Sequence, residues 1–250
     1  MRFLHFGTKN IETIVMLHAS CMTWEFLKNA INTLAQDYHV IVPVMPGYDM
    51  ENNSDYTSVE EIANETEDYL LKNGYSTLDG IYGISMGGSI VIKMLANKRV
   101  DIKKAVIDAG ITPYQLPAPL SKLFVIRDYS FMITLKNSIK VFSHFVSKEK
   151  YGSDTFERLK EVMLHVSRKT IWNNFNSCNT YSMPDKVKNS DTRIEYWYGS
   201  KEKMNRRRDI KYVKKIFPDI SIKEIKGFNH AEFVMLEPER FSLRIIDFLK

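Results

Sequence analysis

A serine held between glycines, a histidine far downstream and a carboxylate between the two are side chains that together can cleave an acyl bond covalently. A serine hydroxyl attacks a carbonyl only when a base takes its proton, and a neutral imidazole is the side chain suited to that near pH 7. The chain carries such a serine in the stretch Leu78–Gly88, LDGIYGISMGG, where Gly83, Ser85 and Gly87 form a GxSxG pattern. Leu78, Ile81 and Tyr82 predict a short buried strand, and Ser89–Asn97 (SIVIKMLAN) shows apolar residues at a helical period. Ser85 therefore falls on a sharp strand-to-helix turn, where its hydroxyl projects above a sheet and the helix N-terminus favours developing negative charge.

The base is expected at His230, in the loop Gly227-Phe228-Asn229-His230 that follows the last predicted strand and so reaches the carboxyl edge of a parallel sheet, as Ser85 does. His39 starts a strand on the opposite edge, His144 and His165 fall in a helical segment, and His18 is expected to brace a loop. The acid that orients the imidazole should lie between Ser85 and His230 at a strand end. Glu202, three residues after Gly199, meets both conditions and is preferred; Asp108 is the alternative acid, and Asp209 should already be inside a helix. An oxyanion needs two N–H donors. The backbone N–H of Met86 is one, and the loop His18-Ala19-Ser20-Cys21 should supply the other through Ser20.

The elements that must hold these residues follow in order. Phe3–Phe6 and Thr13–Leu17 (TIVML) predict strands, Trp24–Ala35 a helix with Thr23 at its N-cap, Val40–Val44 a strand and Ser58–Asn73 a helix. After the serine turn, Ile102–Asp108 is a further strand. Near-continuous apolar strands alternating with helices indicate a parallel sheet covered on both faces. From Ile111 to about Lys188 no clean strand occurs, and helical spacing in Phe131–Val146 and Phe156–Val166 suggests a helical cap over the carboxyl edge of the sheet. The alternation resumes with Arg193–Tyr198, a helix through Ile216, Ile220–Ile225 and a last helix from Pro238 to Lys250.

Composition narrows the classes. The 250 residues are 44% hydrophobic, enough for one core, and the net charge of +5 arises from 35 basic and 30 acidic residues spread along the chain, which does not indicate a nucleic-acid partner. The densest basic run, Arg206-Arg207-Arg208, is expected to be a solvated helix face. Cys21 and Cys178 lie far apart without metal-binding spacing, so a reduced, cytoplasmic protein without metal or organic cofactor is expected. The opening MRFLHFGTKN shows no secretory signal, and Leu120–Val146 carries too many charges to span a membrane.

Taken together, His18 to Trp24, Pro46-Gly47-Tyr48, GISMGG, Gly199-Ser200-Lys201-Glu202 and GFNHAEFVMLEPERF around His230 resemble the α/β-hydrolase fold superfamily in its capped, lipase- or esterase-like branch, over nearly the whole chain. The resemblance implies a mostly parallel sheet flanked by helices, with a helical cap inserted after the sixth strand: a core of 1–110 and 189–250 and a cap of 111–188. It also implies a triad of Ser85, Glu202 and His230, oxyanion donors at Ser20 and Met86, and hydrolysis through an acyl-enzyme. The substrate would be a small, hydrophobic carboxylic ester or thioester. C–C bond hydrolysis, amide hydrolysis and acyl transfer use the same triad, and a non-catalytic small-molecule receptor is the reading from another class. Two departures stand out. Ala19 occupies a position that is usually Gly in the family, and the acid is Glu where Asp is commoner.

Overall fold

In the computed structural model, residues 1–113, 116–184, 187 and 191–250 are described. Strands β1 (Arg2–Phe6) and β2 (Thr13–Leu17) precede helix α1 (Lys28–Leu34), β3 (His39–Val44) and α2 (Val59–Lys72). The short β4 (Thr77–Leu78) then leads into β5 (Gly80–Ile84), α3 (Met86–Asn97), the short β6 (Asp101–Ile102) and β7 (Lys104–Asp108). Five helices follow: α4 (Ala118–Asn137), α5 (Ile139–Phe145), α6 (Lys148–Tyr151), α7 (Ser153–His165) and α8 (Arg168–Thr180). The chain returns to the sheet with β8 (Arg193–Gly199), α9 (Lys203–Ile216) and β9 (Ser221–Ile225), and ends in α10 (Glu232–Leu236) and α11 (Pro238–Leu249).

Seven strands form one sheet in the order β1-β3-β2-β5-β7-β8-β9. Among the described residues only β1 runs antiparallel, against β3. The sheet is buried on both faces because its inner strands are apolar through their centres. In β2, Val15 and Leu17 pack on the side of α2, α3 and α9, while Ile14 and Met16 pack on the side of α1 and α11. The same alternation gives Ala105 and Ile107 to one face and Val106 to the other, as period-two side chains require. α11 seals the second face with Phe241, Ile245 and Phe248, spaced four and three residues apart on one helix stripe.

Several local expectations are refined. The strand expected across Leu78–Tyr82 is two strands: β4 pairs with β6, and β5 joins the main sheet. Asp79 makes the break, since its carboxylate accepts the Thr13 N–H at 2.8 Å and an ion pair from Lys103 at 2.7 Å. Ser58 caps α2 by accepting from the Glu61 N–H. Thr23, by contrast, opens a 3-10 turn (Trp24–Leu27), and its hydroxyl donates to Glu25 rather than capping the backbone. The helix expected across Phe131–Val146 is split at Ser138, whose extended backbone (φ −131°, ψ 104°) ends α4 and whose hydroxyl caps α5.

The helical insertion enters where a cap was expected, after β7 (Lys104–Asp108). Its own small core is Leu135, Phe142, Phe156 and Met163. The expected boundary between 188 and 189 lies outside the described residues. No helix among the described residues is long and apolar enough to cross a membrane.

Candidate active site

The strand-to-helix turn is built around Ser85, whose backbone sits at φ 54°, ψ −113°, a conformation that non-glycine residues adopt only under local constraint. The constraint is visible on both sides. The Ser85 N–H donates to Asp108 O at 2.8 Å at the end of β7, and its carbonyl accepts from the Ser89 N–H at 3.1 Å in the first turn of α3. Glycine is required where the helix crosses the sheet edge. A Cβ on Gly83 would lie 2.3 Å from Gly87 O, and one on Gly87 would lie 2.4 Å from Leu17 O. Both clashes are with backbone, which cannot swing aside.

The last two strand ends bring the histidine and the acid to the same edge. Glu202 closes a 3-10 turn (Ser200–Glu202) after β8, and His230 stands on the loop after β9. The two loops are tied together, as the Lys201 N–H donates to Phe228 O at 3.0 Å and the Gly227 N–H to Ser200 Oγ at 3.0 Å. His230 Nδ1 lies 2.9 Å from Glu202 Oε2, while Glu202 Oε1 accepts the Gly199 N–H at 3.2 Å. Burial pushes the Glu202 carboxyl up, but the hydrogen bond and charge of His230, the Arg206 guanidinium and the Gly199 N–H outweigh it and hold the group below the usual carboxylate value. Glu202 is therefore an anion at neutral pH, with one oxygen committed to the imidazole.

Ser85 and His230 line one cavity of about 1210 Å³, together with Ser20 and Cys21. Among the described residues no hydrogen bond joins the Ser85 hydroxyl to His230. Asp108, the alternative acid, is engaged differently: its Oδ2 accepts the Tyr82 hydroxyl at 2.8 Å, and burial, aided by the nearby Glu202 charge, pushes it up to about 6. Asp209 is inside α9, as expected, where Oδ1 accepts both the N–H (2.9 Å) and hydroxyl (2.8 Å) of Thr112.

The loop after β2 tolerates Ala19 because its left-handed residue is Cys21, at φ 56°. Ser20 lies on the cavity wall, and Met86 opens α3, where a helix's first N–H groups have no intrahelical acceptor. His18 is buried, its Nδ1 paired with Ala19 O at 2.9 Å, and burial lowers it to about 4, so it is a neutral brace at pH 7. Burial pushes the Cys21 thiol up to about 12, which keeps it protonated at neutral pH. His39 pairs with His5 at 2.8 Å, on the β1–β3 side of the sheet, and the other two histidines are in α5 and α7.

Three neighbours of the site carry no motif. Arg206 is half-buried, bridging Glu202 Oε2 (3.3 Å) and Asp209 Oδ2 (3.1 Å), while Arg207 and Arg208 stay exposed, so two of the three arginines of the basic run form the solvated face expected of it. Its spacing from those acids, i−4 and i+3, was the available signal. Glu232 accepts the Asn229 N–H at 2.7 Å and pairs with Lys150 and Tyr151, fastening the His230 loop to the helical insertion. Tyr82 reaches Asp108 from the neighbouring strand. Among the described residues no three His, Cys, Asp or Glu side chains are grouped to hold a metal ion.

No protein-family model and no curated protein sequence matches the chain. Solved structures do. A protein of Desulfitobacterium hafniense described as of the alpha/beta hydrolase family superimposes with a TM-score of 0.79 at 18% identity, over 100% of both chains. MenH from S. aureus gives 0.74 at 18% identity over 99% of this chain and 97% of its own, and a marine microorganism esterase gives 0.71 at 17% identity over 99% and 98%. The chain has the α/β-hydrolase fold, and at these identities the likeness extends to the fold alone.

Proposed function

We propose that the protein is a serine hydrolase that cleaves a carboxylic ester or thioester through Ser85, His230 and Glu202. The observation that carries this reading is the 2.9 Å hydrogen bond from His230 Nδ1 to Glu202, made at the wall of the cavity that also receives the strained Ser85 turn. With Nδ1–H held by the carboxylate, Nε2 is the free face of the ring and the atom that takes the Ser85 proton as Oγ attacks the carbonyl carbon. The N–H groups of Ser20 and Met86 receive the oxyanion. Collapse expels the alcohol or thiol with the proton from His230, and a water activated by the same nitrogen then hydrolyses the acyl-Ser85 ester.

The helical segment 111–188 is proposed as the cap that covers this site, over a core of 1–110 and 189–250. Phe124, Phe131, Met132 and Phe175 from its helices line the cavity, which supports an apolar part in the substrate. The two cysteines are free thiols, compatible with a reduced, cytoplasmic setting. A p-nitrophenyl ester series of increasing acyl length tests the reading. Turnover that is lost in Ser85→Ala and in His230→Ala supports it, and equal turnover in either variant overturns it. A folded protein that binds the esters without turning them over would instead be a receptor.

A further inference from the structure

The Ser85 cavity is lined by five cationic side chains, Arg127, Arg206, Arg208, Lys211 and Lys215, and by two anionic ones, Asp128 and Asp209. Arg127 Nη2 pairs with Asp128 at 2.7 Å, and Arg206 bridges Glu202 and Asp209. Arg208, Lys211 and Lys215 fall at spacings of three and four residues along α9, so they share one helix face. Arg208 stacks over the Phe124 ring at 5.6 Å. Lys211 and Lys215 are exposed at the cavity mouth, and no carboxylate of the described residues lies within 4.0 Å of either.

The order of groups along α9 gives the cavity a direction. Arg206 marks the level of the Glu202–His230 pair, and at about 1.5 Å rise per residue Lys211 and Lys215 stand roughly 8 and 14 Å further along the axis. Phe124, Phe131 and Met132 from α4 line the same cavity. The wall beside a ligand with its carbonyl at Ser85 thus carries Phe124, Phe131 and Met132, with Arg127 paired to Asp128 and Arg208 stacked on Phe124, before the exposed Lys211 and Lys215 further along α9. Two full lysine charges outweigh the opposing half-charge of the helix C-terminus.

We propose that the substrate of this site carries an anionic group, a carboxylate or a phosphate, separated from its scissile carbonyl by an apolar chain and held by Lys211 and Lys215. This rests on the hydrolase reading for the position of the carbonyl, but the anion preference is a property of the mouth and is testable without turnover. Octanoate, octyl phosphate and the neutral octanamide are titrated calorimetrically into the wild-type protein at low ionic strength. The anions bind about fivefold to tenfold more tightly than the amide, the size that two solvent-facing ion pairs supply. The preference shrinks toward unity in the Lys211→Gln/Lys215→Gln double variant and returns in Lys211→Arg/Lys215→Arg. Comparison of the octanoate and octyl phosphate arms identifies which anion the mouth prefers. Equal binding of the anions and the amide, or a preference that survives the glutamine double variant, overturns the proposal and leaves the hydrolase reading standing. Failure of ester turnover, in contrast, sinks that reading without touching this one.

Discussion

Replacing Glu202 by glutamine separates the two candidate acids. In the proposed mechanism, the imidazolium that forms as Ser85 gives up its proton is stabilised by the Glu202 carboxylate, whose Oε2 lies 2.9 Å from Nδ1. Two unit charges about 4 Å apart interact by roughly 4 kcal/mol at an effective dielectric near 20. The His230 side chain is 38% exposed, so solvent screening reduces this. Each ~1.4 kcal/mol is tenfold in rate, and an amide can also turn its NH₂ toward Nδ1 and select the wrong tautomer. Together these give an expected loss in kcat of about 10²- to 10⁴-fold for Glu202→Gln. Arg206 keeps its 3.1 Å contact with Asp209, so the fold beneath the site is expected to survive. Asp108→Asn should lose less than about tenfold, because Asp108 engages Tyr82 rather than the imidazole and an amide oxygen can still accept that hydroxyl. The assay is steady-state hydrolysis of p-nitrophenyl butyrate at pH 8 by both variants, with circular dichroism to confirm folding. A kcat for Glu202→Gln within tenfold of wild type, or a larger loss in Asp108→Asn, would refute the assignment.

Asp108 also predicts a pH signature in stability. Its folded pKa of about 6 exceeds the ordinary 3.8, so the native state holds this proton more tightly than the unfolded chain does. The stabilisation is complete below pH 4 and is lost as pH rises through about 6, with an upper bound near 3 kcal/mol from two pH units. Urea unfolding should therefore show Asp108→Asn gaining on wild type between pH 4 and 7, and a pH-independent difference would contradict the burial argument. Gly87→Ala places a Cβ 2.4 Å from Leu17 O and 2.8 Å from His18 O, and should cost about 2 kcal/mol or more, measured as a shift in urea midpoint. Glu232→Gln weakens the tie between Asn229 and Lys150, and should lower kcat more than it raises KM because the His230 loop loses its anchor; an unchanged kcat would count against that role.

The parallel sheet, the serine turn and the two strand-end loops were legible because each rests on a local rule: apolar strands buried on both faces, glycines at a crossing, polar residues after a strand. His230 and Glu202 could be proposed together because a parallel sheet sends its strand ends to one edge. What the sequence hid depends on contacts between distant segments. Arg206 reads as one of three surface arginines until the Ala109 carbonyl, 97 residues away in the chain, accepts from it beside Glu202 and Asp209. The break at Asp79 is invisible without Thr13, 66 residues away in the chain. Ser138 ends α4 in a run whose apolar spacing alone suggests continuity. The cationic face of α9 likewise becomes a cavity wall only when α4 is opposite it.

The most direct test of the account is to treat the purified protein with a fluorophosphonate and locate the adduct by peptide mass mapping. An activated hydroxyl beside a Glu-held imidazole predicts a single adduct on Ser85, abolished in His230→Ala. An unlabelled Ser85 in the folded wild-type protein, or an adduct on another residue, would contradict it.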